Sequence, residues 1–198
     1  MKLAAYRLRM SVRVVAAILL SVGATTACST AATRKIEDHV FAVPKPNDIA
    51  DSDAPFFLPP LAPLDGFSFY LNPQASLPQR ILVGVASRRR MCARAAGTQA
   101  LINATVCAAT PPAWRGRPLR KVSDGVFWTY DLPMAAGQRA PASLASCSAM
   151  GGGSRPGLCT ANLPLGDLVL TIHFRDNQVG SLGALYDQAT ANLRKSEQ

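Results

Sequence analysis

Four cysteines, Cys92, Cys107, Cys147 and Cys159, fall into two close pairs, and what they can become depends on the compartment the chain reaches. The N-terminus speaks to that. Lys2, Arg7, Arg9 and Arg13 precede an apolar run at 14–20 that is too short to cross a bilayer as a mature helix, and Thr25-Thr26-Ala27-Cys28 closes the stretch. A charged start, a short apolar run and a small-residue end make an export signal. In an oxidising space the even set of cysteines is expected to form two disulfides. Sequence proximity favours Cys92 with Cys107 and Cys147 with Cys159, each closing a loop worth about 3 kcal/mol. A metal site is the weaker alternative, because no C-x-x-C spacing occurs and the chain has only 2 histidines.

The Ala27-Cys28 junction after the apolar run resembles the lipobox of bacterial lipoproteins. That resemblance implies a Cys28 lipidated on sulfur and left as the acylated amino terminus. Thr25 stands where the family most often has Leu, so ordinary secretory cleavage near Ala27 is the alternative. Ser29, a non-acidic residue after the cysteine, implies by the same resemblance an outer-membrane destination facing the periplasm.

Removing residues 1–27 from 198 leaves 171, enough for one domain with a sizeable core. Four of the 21 basic residues and none of the 12 acidic ones lie in the signal, so +9 becomes +5 in the mature chain. The expected organisation is a signal at 1–27, a small, polar tether at 28–36 and a single domain at 37–198. No later apolar stretch is long enough to span a bilayer as a helix, so membrane attachment would be through the lipid.

Along the domain, period-two alternation predicts strands at His39 to Val43, Gly66 to Leu71, Gln79 to Ser87, Gly125 to Tyr130 and Asp167 to Arg175. Asp167 to Arg175 is the clearest, with Leu168, Leu170, Ile172 and Phe174 inward, and is expected near the sheet centre. Segments 143–150 and 158–163 flank Gly151-Gly152-Gly153-Ser154 as arms of a hairpin carrying Cys147 and Cys159. Cys92 to Cys107 reads equally as a short helix or a disulfide-closed loop. Ser181 to about Lys195 has Leu182, Leu185, Tyr186, Ala189 and Leu193 on one helical face, with Ser181 as N-cap. The expected fold class is therefore α+β: an antiparallel sheet of about five to seven strands, a C-terminal helix packed on it, and two disulfides.

Catalytic signatures are missing: there is no G-x-S-x-G, H-E-x-x-H, P-loop or G-x-G-x-x-G. Asp48, Asp51 and Asp53 lack the rest of a calcium loop, and His39 and His173 are isolated. No cofactor or metal is expected. Charge is segregated instead. Segment 37–65 holds six acids against Lys45, while 88–121 holds Arg88, Arg89, Arg90, Arg94, Arg115, Arg117, Arg120 and Lys121 without one acid. One reading pairs the two segments or leaves them solvated. The other makes the bases a contact region that steers an acidic protein, with Trp114 as apolar anchor. Nucleic acid is not an expected partner in the periplasm; anionic lipid is a further possibility.

In outline, the lipobox, tether, Asp/Pro-rich lead, Gly66-Phe67-Ser68-Phe69-Tyr70-Leu71-Asn72-Pro73, two cysteine pairs and terminal helix resemble small periplasmic immunity lipoproteins that neutralise type VI secretion effectors. The resemblance implies a non-enzymatic protein that binds a toxin, and carries over no functional residue. An accessory or scaffolding lipoprotein of an outer-membrane or secretion assembly is the alternative, and an uncatalogued envelope enzyme the third.

Overall fold

Strand β9 (Leu168–Arg175) shows why the core forms where it does: Leu168, Leu170, Ile172 and Phe174 are all buried on one face, while Thr171, His173 and Arg175 on the other are half-buried. The computed structural model describes residues 31–44, 66–124, 126–133, 141–149 and 156–198. The expected Asp-rich loop at 47–63 and the Gly151–Ser154 hairpin tip lie outside them, as do the signal and Cys28.

In chain order the strands are β1 (Ala31–Ile36), β2 (His39–Pro44), β3 (Gly66–Tyr70), β4 (Leu82–Ser87), β5 (Arg120–Asp124), β6 (Phe127–Leu132), β7 (Ala142–Ser148), β8 (Leu158–Leu165) and β9. Seven of them form an antiparallel sheet in the order β3-β4-β9-β8-β7-β6-β5. β9 is thus interior, and β3 pairs β4 with Phe67 opposite Val85, as the alternation predicts. The C-terminal helix α2 (Leu182–Ser196) lies on the apolar face, where Leu182, Tyr186, Ala189 and Leu193 meet Val83, Val85, Ala161, Leu163 and Ile172. The α+β class, the packed helix and both disulfides are as expected. Cys147 and Cys159 are register partners across β7 and β8, with Cα atoms 4.0 Å apart. Cys92–Cys107 has a Cα separation of 5.4 Å.

Two local expectations are corrected, and one open alternative is decided. The tether does not run to residue 36: Ala31–Ile36 is a strand, paired antiparallel with β2 from Ala31 opposite Pro44 to Ile36 opposite His39. Small polar residues read as a linker become a strand because β2 supplies the partner, and Ile36, Phe41 and Val43 of this ribbon join the main core. The Cys92 to Cys107 segment, open between helix and loop, holds only the last turn of helix α1 (Arg88–Ala95), which starts four residues earlier with the Arg90 N–H donating to the Ser87 side chain, and then a 3-10 turn at Leu101–Asn103. Ser181 stands at the N-cap position of α2, as expected, but its side chain makes no cap bond to the helix. Its hydroxyl donates to the Gln178 carbonyl, within a 3-10 segment at Asp176–Ser181 that runs straight into the helix.

The ribbon is fastened by His39. Its Nε2 lies 2.9 Å from Asp167 and its Nδ1 bonds Glu197, while the Gln198 N–H donates to the Val40 carbonyl at 2.9 Å. Two carboxylate partners require both ring nitrogens to donate, and these bonds, Glu197 first and then Asp167, raise the imidazole pKa above its ordinary 6.5. The charged form is therefore favoured in the folded state. The resulting stabilisation is fully present below pH 6.5 and is lost as pH rises through the raised folded value. His39→Gln is expected to destabilise by at most about 1 kcal/mol at acid pH and by less above that window, since the carboxylates are solvent-facing. Urea denaturation of both proteins across pH checks this.

Candidate binding surface

The sequence Trp114-Arg115-Gly116-Arg117 makes a tight turn, in which the Arg117 N–H donates to the Trp114 carbonyl at 3.2 Å and Gly116 takes φ 70°. Positive φ at the third position of such a turn is what glycine provides. Trp114 meets Tyr186 of α2 edge to face, with ring centroids 5.6 Å apart. The Arg115 guanidinium sits 4.9 Å from the Tyr186 ring centroid and 5.7 Å from that of Trp114, and pairs with Asp187. Arg117 is half-buried and donates to the carbonyls of Pro133, at 3.1 Å, and Ala113, at 3.4 Å.

Behind this turn lies a cavity of about 470 Å³, walled by Trp114, Leu119, Tyr130, Val179 and Leu182, with Arg115 and Arg117 on its lining. Among the described residues, no acidic one lines it. Its Tyr130 wall is set by Asp176, which accepts from the Tyr130 hydroxyl, from the Trp128 indole N–H at 3.0 Å and from the Lys121 ammonium at 3.1 Å. Lys121 also lies over the Trp128 ring, 4.4 Å from its centroid. Burial pushes the Asp176 carboxyl up, but the three donors outweigh it and hold the pKa below its ordinary 3.8. Tyr130 is pushed up to about 12, by burial first and by its carboxylate partner second.

The cysteine sulfurs nearest Asp176 are joined in the Cys147–Cys159 disulfide. They therefore offer no thiolate to a metal, and the carboxylate is already committed to three donors. His173 is also committed, its Nδ1 lying 3.1 Å from the Thr160 hydroxyl, and burial lowers its pKa.

The eight bases do not form one surface. Arg88 follows β4, its N–H donates to the Asp167 carbonyl at 2.8 Å, and its guanidinium holds the carbonyls of Val106 and Ala108. Arg89 pairs with Glu37 at 2.8 Å, which joins one acid of the acidic segment to one base of the basic one. That carboxylate also accepts from Ser87, and its pKa is lowered by the Arg89 and Ser87 bonds. Arg90 and Arg94 are exposed on α1. Arg88 sits by the Asp167 end of β9, and α1 leads from there back to Arg94 beside Gly84, Asn162 and Thr171, whereas Lys121 pairs with Asp176 at the other end of β9. At strand rise the two ends are roughly 25 to 30 Å apart. Arg115 and Arg117 stay with Trp114 at the cavity, Arg120 and Lys121 follow on β5 with Lys121 over the Trp128 and Tyr130 rings, and Arg88, Arg89, Arg90 and Arg94 are a separate group on α1. Arg88 and Arg89 are structural ties, so replacing them disturbs α1 and the ribbon as well as the surface charge.

Sequence reasoning missed Tyr130, Val179 and Tyr186 as partners of Trp114. It also missed that Phe127 and Val126, 63% and 62% exposed, put large apolar side chains in water. The aromatic run of β6 signals a strand, but only pairing decides which aromatics face out.

No protein-family model matches the chain, and no curated protein does. A solved structure, an immunity protein of the Stenotrophomonas maltophilia type IV secretion system, is 10% identical over 86% of this chain and 94% of its own, with a TM-score of 0.43. A likeness of that size assigns neither a family nor a partner. Among the described residues, no helix is long and apolar enough to cross a membrane.

Proposed function

We propose that this chain is a non-enzymatic binding protein of the immunity type, anchored in the periplasm to the outer membrane by lipid on Cys28, that neutralises a toxin by occupying it. One observation carries the reading: a tryptophan, a tyrosine and two arginines are fixed around one cavity by contacts of their own. Trp, Tyr and Arg are the residues that dominate protein interfaces, and side chains held in place before binding lose little freedom on association. The protonation of both histidines and of Asp176 is taken up by structural bonds, which favours binding over acid–base chemistry. A periplasmic protein partner, and not nucleic acid, fits an exported chain.

The test pairs the protein with a toxin encoded beside its gene. Co-expression in the periplasm is expected to restore growth, and the two purified proteins to co-elute; growth arrest undiminished by co-expression rejects the reading. The anchor is tested separately. Cys28→Ser is expected to abolish incorporation of labelled fatty acid and to move the protein from the membrane to the soluble fraction, because the three acyl chains that the lipoprotein resemblance implies exceed the two signals that stable anchoring takes.

A further inference from the structure

We propose that the cavity behind the Trp114 turn receives a carboxylate-bearing, apolar-flanked loop of a protein partner, the acidic group lodging against Arg117 beside Arg115. The proposal rests on the binding reading above and names the chemistry its partner must present. Arg117 is the decisive residue. Its guanidinium is fixed by two neutral carbonyls, Pro133 and Ala113, and it forms no ion pair among the described residues. It is half-buried at the lining of a cavity whose other walls are aromatic and aliphatic. A cation fixed in place, partly desolvated and uncompensated attracts an anion more strongly than a solvated arginine does, and a planar guanidinium accepts a carboxylate edge-on.

Arg115 shows the preference directly. It already holds one carboxylate, that of Asp187, on the exposed side of α2. Asp187 therefore occupies part of the charge that an incoming acid would use, as a competitor fixed to the rim. Trp114, Leu119, Val179 and Leu182 leave room for an apolar side chain next to the acidic one. Burial of such a side chain supplies affinity, and the charge supplies orientation.

The experiment uses the full chain and a defined probe, an end-blocked peptide of sequence Ala-Leu-Asp-Glu-Leu-Ala, against its Asn/Gln isostere. The two indole N–H resonances are followed by NMR, Trp114 at the cavity and Trp128 beside it. The acidic peptide is expected to shift Trp114, less so as salt rises, and to bind at least about tenfold more tightly than the isostere. Arg117→Gln is expected to remove most of that difference. Asp187→Asn is expected to tighten binding by about threefold, a gain that misfolding cannot produce. Arg90→Glu, near the other end of β9, is expected to leave binding unchanged. Equal response to both peptides, no response to either, no gain in Asp187→Asn, or equal loss in Arg90→Glu overturns the proposal. A Trp114 shift caused by phosphatidylglycerol vesicles and not by the acidic peptide also overturns it, in favour of a membrane surface. Because no toxin enters this experiment, its failure alongside co-expression rescue rejects only the location, while peptide binding without rescue rejects the immunity reading.

Discussion

Gly157→Ala is expected to destabilise the protein by about 3 kcal/mol or more, read as a drop in the urea midpoint with little change in slope. A Cβ at this position would lie 2.3 and 2.4 Å from two carbons of the Trp128 ring and 2.7 Å from the Ser148 carbonyl oxygen. The ring has nowhere to retreat. Its indole N–H is bonded to Asp176, Lys121 lies over it, and its residue is paired across the sheet with Cys147. The Gly157 carbonyl also accepts from the Asp176 N–H at 3.0 Å, so backbone relief would disturb that carboxylate as well. A midpoint within error of wild type would mean that Trp128 is not held as described.

Asp176→Ala is the second large effect, about 3 kcal/mol, because it removes the shared acceptor of two side chains that lie partly or wholly out of water. Tyr130 is buried and Trp128 half-buried, and both lose their acceptor while Lys121 loses its countercharge. The sign with pH follows from the depressed carboxyl. Its contribution is present above the ordinary 3.8 and is lost as pH falls through the lower folded value, so the wild-type advantage over Asp176→Ala should shrink in strong acid. The Tyr130 phenol, now at about 12, should fall part of the way toward its ordinary 10.0, since burial remains after the carboxylate is gone. Tyrosinate absorbance against pH reads this directly. Asp176→Asn, which keeps one acceptor and the shape, should lose less.

Strong periodicity was legible where it coincided with a two-sided environment. β9 and α2 each bury one face more completely than the other, so Leu168 to Phe174 and Leu182 to Leu193 announce themselves. The disulfides followed from spacing because both pairs are local. α1 was ambiguous because eight residues with three successive arginines and a single buried position, Ala95, carry too little pattern to separate helix from loop. β5 went unseen: Arg120-Lys121-Val122-Ser123 is exposed throughout, and pairing with β6, not burial, makes it a strand. Counting charge along the chain grouped Arg88 with Arg117. Pairing of β4 with β9 carries the first to one end of the sheet, and the turn before β5 leaves the second near the other. The cavity itself joins a loop, β6 and α2, a combination that no window of sequence contains.

Strand β1 starts at Ala31, three residues past Cys28, where a longer stretch of slack chain had been expected. Three residues, however far extended, reach roughly 10 Å, which is about one Debye length at 0.1 M salt. With the proposed acyl group on Cys28, almost no slack chain would separate the lipid from the first hydrogen-bonded residue of the ribbon.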